Sequence, residues 1–214
     1  MYSGITRGTR RVVAKRRFEG RIDILVDLGA DLAVGLELGA SVALDGVCLT
    51  VAGFHASEVL FQVIAETLER TTLGALEVDS LVSVERSYRV GDELGGHEVA
   101  GHVTGTGRVA AIQREGGRYD MRVAVPREWM KYIFPKGFIA VDGSSLTVGL
   151  TFPEGAFDLH LIPETLRLTN FGQKVVGDRV NIELDSRTVA IVDTVERVLE
   201  QRRATLPNED AAAR

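Results

Sequence analysis

The chain has 214 residues, 45% of them apolar and 26% charged, which suits one large domain or two small ones and excludes a disordered or collagen-like chain. Its 25 basic and 30 acidic side chains leave a net charge of −5, so no global field draws in nucleic acid or an anionic membrane. A single cysteine, Cys48, excludes an intrachain disulfide framework and thiolate-rich metal sites, and points to a reducing, cytoplasmic setting.

The N-terminal MYSGITRG lacks the apolar stretch of a signal peptide, and no window approaches the roughly 18 apolar residues of a membrane span. Arg7, Arg10, Arg11, Lys15, Arg16 and Arg17 then fall within eleven residues that hold no acid. Without interleaved aromatics or a recognition helix, they read as a solvated turn between two early strands rather than a phosphate-binding arm. Short apolar runs with partial alternation predict strands over 21–28, 59–64 and 81–84, and again over 119–125, 157–162 and 180–184. Many short strands and few helices suggest closed barrels, because closure removes exposed edges. Between the two sets, Gly91 to His97 reads as tight turns; a phosphate-cradling loop would need a following Lys-Ser/Thr and an opening helix. The clearest helix comes last. From Thr188, behind candidate caps Asp185 and Ser186, residues Ile191, Val192, Val195, Val198 and Leu199 fall within an arc of about 120°. That stripe calls for cover, either from this chain or from copies of it. Residues 204–214 read as a frayed tail.

The chain also repeats itself. DGVCLTV from Asp45 recurs as DGSSLTV from Asp142, matching at five of seven positions with an offset of 97. ETLERTTLG from Glu66 recurs as ETLRLTNFG from Glu164, VSVE ending at Glu85 as VNIE ending at Glu183, and GITRG from Gly4 as GHVTG from Gly101. Four segments in one order at one spacing make two copies of a domain of about 90 residues.

Several residues carry possible chemistry. HEVAGH from His97 to His102 is one residue longer than a zinc-protease motif. Histidines five apart sit about 140° apart on a helix and on opposite faces of a strand, so they do not chelate one metal. His102 stands where the first copy has Ile5, and reads either as a buried, hydrogen-bonded histidine or as a general base. Cys48 matches Ser145, and Thr50 and Thr147 lie two residues further on. Each strand therefore presents heteroatoms at i and i+2 on one face, which reads as two similar ligand sites or, for either copy alone, as a solvent-facing polar stripe.

These residues resemble the riboflavin synthase family, the duplicated lumazine-binding-barrel enzymes. The likeness rests on MYSGI, GASVALDGVCLTV, ETLERTTLG, GDELGGHEVAGHV, KGFIAVDGSSLTV and HLIPETL in that order, and runs from Met1 to about Leu199. It implies an all-β fold of two tandem Greek-key six-stranded β-barrels, over 1–97 and 98–187, and a C-terminal α-helix over 188–203 that gathers a homotrimer. It also implies the last step of riboflavin biosynthesis without a cofactor or metal. Two molecules of 6,7-dimethyl-8-ribityllumazine dismutate, one passing a four-carbon unit to the other, to give riboflavin and 5-amino-6-(ribitylamino)uracil. The working site would lie between the first barrel of one chain and the second of a neighbour, with lumazine synthase a candidate further partner.

Carried over by position, Cys48 and His102, assisted by Ser41, are the implied catalytic groups. The implied substrate contacts are Cys48, Leu49, Thr50, Gln62, Ala65, Glu66 and Thr67 in the first barrel and Ser145, Leu146 and Thr147 in the second, with Lys136 on the ribityl chain. The backbone at Gly4, Ile5 and Thr6, at Gly101, His102 and Val103, and over Leu161, Ile162, Pro163, Glu164, Thr165 and Leu166 would line the same pockets. Tyr2 and Ser3 depart from the family's usual Phe-Thr, and Asn170-Phe171 departs from Thr72-Leu73 of the first copy. The alternative is a non-catalytic lumazine or flavin carrier of the same ancestry. A flavin reductase would need a βαβ nicotinamide unit, and no GxGxxG supplies one.

Overall fold

The computed structural model describes residues 1–205. The first barrel is built from β1 (Thr9–Phe18), β2 (Arg21–Asp27), β3 (Ser41–Leu44), β4 (Val47–His55), β5 (Glu58–Ile64) and β6 (Leu81–Arg86). The second uses β7 (Gly105–Glu115), β8 (Arg118–Ala124), β9 (Phe138–Val141), β10 (Ser144–Phe152), β11 (Ala156–Leu161) and β12 (Arg179–Leu184). The sheets close in the orders β1-β2-β5-β4-β3-β6 and β7-β8-β11-β10-β9-β12, the same antiparallel path twice. In each, three hairpin-linked strands are joined by a fourth that returns beside the first of them, which is a Greek key.

Short helices fill the connections: α1 (Gly29–Ala33), α2 (Ala65–Arg70) and α3 (Pro163–Leu168), with 3-10 turns at Leu73–Ala75, Arg127–Tyr132 and Asn170–Gln173. Pro163 opens α3, where its missing N–H would lack a helical partner in any case. The last helix, α4, spans Ser186–Thr205. Asp185 caps it, its Oδ1 accepting the Thr188 N–H at 2.8 Å. Of the expected tail, 204 and 205 belong to α4, and 206–214 lie outside the described residues. No helix among the described residues is long and apolar enough to cross a membrane.

Alternation decides what each barrel encloses. Val47, Leu49 and Val51 of β4 point into a core with Ile24, Val42, Phe61 and Val84, whereas Cys48 and Thr50 point out. Met121, Ile139, Val148, Phe157 and Ile182 fill the second barrel in the same way. Both interiors are occupied by side chains, so ligand sites belong to the outer surface. Register shifts at Val12/Ala14 and Val51/Gly53 recur at Val109/Ala111 and Val148/Thr151, bending the strands of both barrels at matching places.

The basic cluster corrects the turn reading. Residues from Arg10 to Arg17 lie within strand β1, and distant acids pair with several of them: Arg10 meets Asp31 at 2.7 Å, Arg11 meets Asp79 at 2.8 Å and Lys15 meets Glu77 at 3.0 Å. Paired charge along an outward face obscured the strand's alternation.

The barrels dock through their Asp-Gly hairpin turns. Asp45-Gly46 and Asp142-Gly143 all have positive φ, as a two-residue type I′ turn requires. A Cβ on Gly46 would sit 2.4 Å from the Gly143 nitrogen, so the two backbones touch. Around them Asp45 Oδ1 accepts from Ser83 N–H at 2.7 Å and Asn170 Nδ2 at 3.1 Å, and Lys174 Nζ lies 2.9 Å from Asp142 Oδ2.

Burial, and then the neighbouring charge of Asp142, push the Asp45 carboxyl up to about 7. A carboxyl raised above its unfolded value of roughly 3.9 binds more protons folded than unfolded. Its contribution to stability is therefore complete below about pH 4 and is lost as pH rises toward 7. Asp45→Asn keeps an oxygen acceptor and tolerates the positive φ. It is expected to flatten the fall in melting temperature between pH 5 and 8, and to leave the variant more stable than the parent at pH 8. Parallel melting curves for the two proteins across that range would show that Asp45 does not titrate there.

Candidate functional site

The segment before each barrel does not stay with its own barrel. Residues 1–6 run to β10 of the second barrel, where Gly4 O accepts the Ser145 N–H at 2.8 Å. Residues 97–103 run to β4 of the first, where Gly101 O accepts the Cys48 N–H at 2.9 Å. The segments meet at Tyr2 and Val99, each N–H bonded to the other's carbonyl, at 2.7 and 3.0 Å. Glycine is needed at both crossings: a Cβ on Gly4 would lie 2.5 Å from Ser145 Cβ, and one on Gly101 2.6 Å from Cys48 Cβ.

Beside Cys48 a cleft of about 230 Å³ opens. Val47 and Cys48 come from β4, Glu66, Thr67, Arg70 and Thr71 from α2 and its end, and Gly101, His102 and Val103 from the second barrel's leading segment. The structure thus brings Cys48, Glu66, Thr67, Gly101, His102 and Val103 together. His102 is exposed, which sets aside the buried reading of this histidine. Ser41 pairs with Thr50 across β3 and β4; Thr50 is solvent-facing and Leu49 is in the core. Gln62 and Ala65 are exposed on and after β5, outside the cleft lining. The Cys48 thiol also has a neighbour on its buried side. The Tyr2 phenol, 1% exposed, donates to Sγ at 3.2 Å, and burial followed by that contact pushes the phenol above its usual value.

The second barrel has different chemistry at the matching place. Ser145 Oγ lies 2.6 Å from His97 Nδ1, and the His97 ring stacks on Phe138 with centroids 5.1 Å apart. Burial lowers the His97 pKa below the usual histidine value, which favours the neutral ring. Thr6 Oγ1 lies 3.1 Å from Ser144 Oγ, Ile5 is half-buried beside Gly95, and Thr147 faces solvent. Leu146 and Leu161 pack on the barrel core, as does Leu166 of α3. Ile162, Pro163 and Glu164 are exposed, Thr165 is half-buried, and Glu164 is engaged by Arg167 at 2.6 Å. Lys136 is exposed in a turn at φ +68°, where its counterpart Gly39 has φ +81°. A left-handed lysine costs about 1–2 kcal/mol relative to glycine, the kind of local strain that clusters at functional sites.

Sequence reasoning weighed His97 only as a metal ligand, although it is the buried, hydrogen-bonded histidine of the chain. Among the described residues no group of three or more His, Cys, Asp or Glu is placed to hold a metal ion.

Residues 3–87 and 100–185 each match the lumazine binding domain family. The chain is 46% identical over 206 residues to riboflavin synthase of Escherichia coli (strain K12), covering 94% of this chain and 95% of that one. It is 46% identical over 164 residues to riboflavin synthase of Chlamydia pneumoniae, covering 77% and 80%. Among solved structures, LumP complexed with riboflavin superposes with a TM-score of 0.81 at 22% identity, covering 87% of this chain and all of that one. LumP complexed with 6,7-dimethyl-8-(1'-D-ribityl) lumazine gives 0.79 at 21% identity over the same shares. These two superpositions establish the common fold.

Proposed function

The chain belongs to the riboflavin synthase family, and from that premise we propose that it dismutates two molecules of 6,7-dimethyl-8-ribityllumazine to riboflavin and 5-amino-6-(ribitylamino)uracil. The observation that supports this best is the matched pair of crossings, in which a segment from the other barrel bonds the strand carrying Cys48 or Ser145, with a cleft beside Cys48. A reaction between two copies of one molecule calls for two similar sites, and orienting both reactants can remove several kcal/mol from the barrier. A cleft of about 230 Å³ is smaller than the roughly 300–1,000 Å³ of ordinary ligand pockets, so it does not hold both rings. The second ring comes from a second-barrel site, in this proposal that of a neighbouring chain within a homotrimer.

The chemistry follows from the groups at hand. One lumazine loses a proton from its acidic 7-methyl group, and His102 at the first cleft takes it. The other lumazine is attacked at C7, and Cys48, with Ser41 nearby on the same sheet, supplies or steadies the nucleophile. On the second barrel Ser145, held by His97, and Thr147 receive the ring, while Lys136 reaches the ribityl hydroxyls. Atoms balance between two lumazines and the two products, so no oxidant or cofactor is called for. The single free thiol fits a reducing compartment, and we place the enzyme in the cytoplasm. Lumazine synthase as a physical partner rests on the family resemblance alone.

Anaerobic incubation with the lumazine and no additive tests the proposal: one riboflavin for every two lumazines consumed is the expected result. Tight binding with unchanged lumazine would make the protein a carrier. Cys48→Ser and His102→Gln are each expected to lower kcat by about 10²-fold, with KM within about threefold of the parent. Steady-state kinetics in which KM rises while kcat holds would make them binding groups instead.

A further inference from the structure

Glu85 and Glu183 occupy the same place in the two copies, and the proposed reaction uses neither. Both carboxyl groups belong to residues less than a tenth exposed, on β6 and β12. Glu183 accepts the Ala100 N–H on Oε1 at 2.7 Å and the Gly101 N–H on Oε2 at 2.9 Å. Glu85 Oε1 accepts both the N–H and the O–H of Ser3, each at 2.7 Å. Burial pushes both carboxyls above the usual range, and the hydrogen bonds they accept pull the other way. The segments they hold are the ones that cross between barrels. Gly101 delivers its carbonyl to Cys48, Gly4 delivers its carbonyl to Ser145, and neither crossing has room for even a methyl group.

We infer that Glu85 and Glu183 are crossed positioning residues: Glu183, on a strand of the second barrel, sets the ligand cleft of the first, and Glu85, on a strand of the first, sets the site of the second. This rests on the placement of ligand at Cys48 and Ser145 proposed above. The carboxylate matters chemically because Glu183 turns two acceptor oxygens toward neighbouring N–H groups, whereas an amide would meet one of them with a donor. Losing one such bond frees a segment that has no tolerance for displacement.

Cys48 is the only cysteine, so in the full-length protein its alkylation by iodoacetamide reports on the first cleft alone. Glu183→Gln is expected to raise that rate at least fivefold. Glu85→Gln is expected to leave it within twofold, because Tyr2, next to Ser3, keeps its two bonds to Val99. In turnover the pattern crosses. Glu183→Gln should be non-additive with Cys48→Ser and additive with Ser145→Ala, and Glu85→Ala, which removes the one oxygen that holds Ser3, the reverse. Glu183→Asp keeps the charge on a shorter arm, is expected to fall between parent and amide variant in both measurements, and serves if the amide variant fails to fold. Equal alkylation rates in the two Gln variants, a Glu183→Asp protein alkylated at the parent rate, or additivity in every pair would overturn the inference. A parent protein that binds lumazine without turnover would overturn the proposed reaction, and the alkylation comparison would still decide this one.

Discussion

Gly46→Ala is expected to pull the two barrels apart at their point of contact. The added methyl would lie 2.4 Å from the Gly143 nitrogen and 2.7 Å from its Cα, and neither is the end of a flexible side chain that can swing away. A methyl at φ +79° adds backbone strain of about 1–2 kcal/mol by itself. The turn also carries Asp45, so a shift disturbs the hydrogen bonds to Ser83 and Asn170. Together these exceed about 3 kcal/mol, or a fall of roughly 6–12 °C in melting temperature for a chain of this length. Gly20→Ala isolates the collision: Gly20 has φ +72° but nothing within 4 Å of an added Cβ. If the two variants melt together, strain rather than contact accounts for the loss and the docking claim fails.

Val195→Glu is expected to have the largest effect on activity. Ile191, Val195, Val198 and Leu199 on α4 are 63, 51, 42 and 50% exposed, whereas the opposite side of the helix is tied down by Val189 in the second core and by ion pairs from Lys131 to Asp193 and Glu196. An apolar stripe on an anchored helix is suited to matching stripes from other copies. A carboxylate at its centre would be buried without a partner in such an assembly. The variant should sediment as a monomer, keep a melting transition, and lose riboflavin formation by at least about 10²-fold, because in the proposed assembly a neighbour supplies the second reactant's site. A fully active monomer would show that one chain suffices.

Much of the architecture was legible because it repeats. The six strand segments read from the sequence lie within a residue or so of observed strands, since alternation between a filled barrel interior and solvent leaves a period of two in the chain. The helices α2 and α3 escaped because six residues make less than two turns, too few for a periodic signal. Strand β1 was hidden by arginines and lysines whose partners lie tens of residues away. At the site, Cys48 and Ser145 stood out as matched heteroatoms. Glu85 and Glu183 stood out only as repeated letters, because three of the four groups they hold are backbone N–H bonds that no side-chain pattern encodes. His97 and Tyr2 were obscured for a related reason: neither has a polar counterpart in the other copy, so a search for likeness passes over them.

That last difference gives the Tyr2–Val99 bridge a further meaning. The reciprocal crossing of leading segments, Gly4 to Ser145 and Gly101 to Cys48, is the contact set that two identical single barrels would make about a two-fold axis, each lending its first residues to the other. In a dimer of identical subunits any substitution appears on both sides of such an axis at once. Covalent linkage removes that restriction while keeping the geometry. One half is free to carry a thiol under a phenol and the other a hydroxyl beside an imidazole, and under the proposed reaction two copies of one molecule would meet these unlike surroundings.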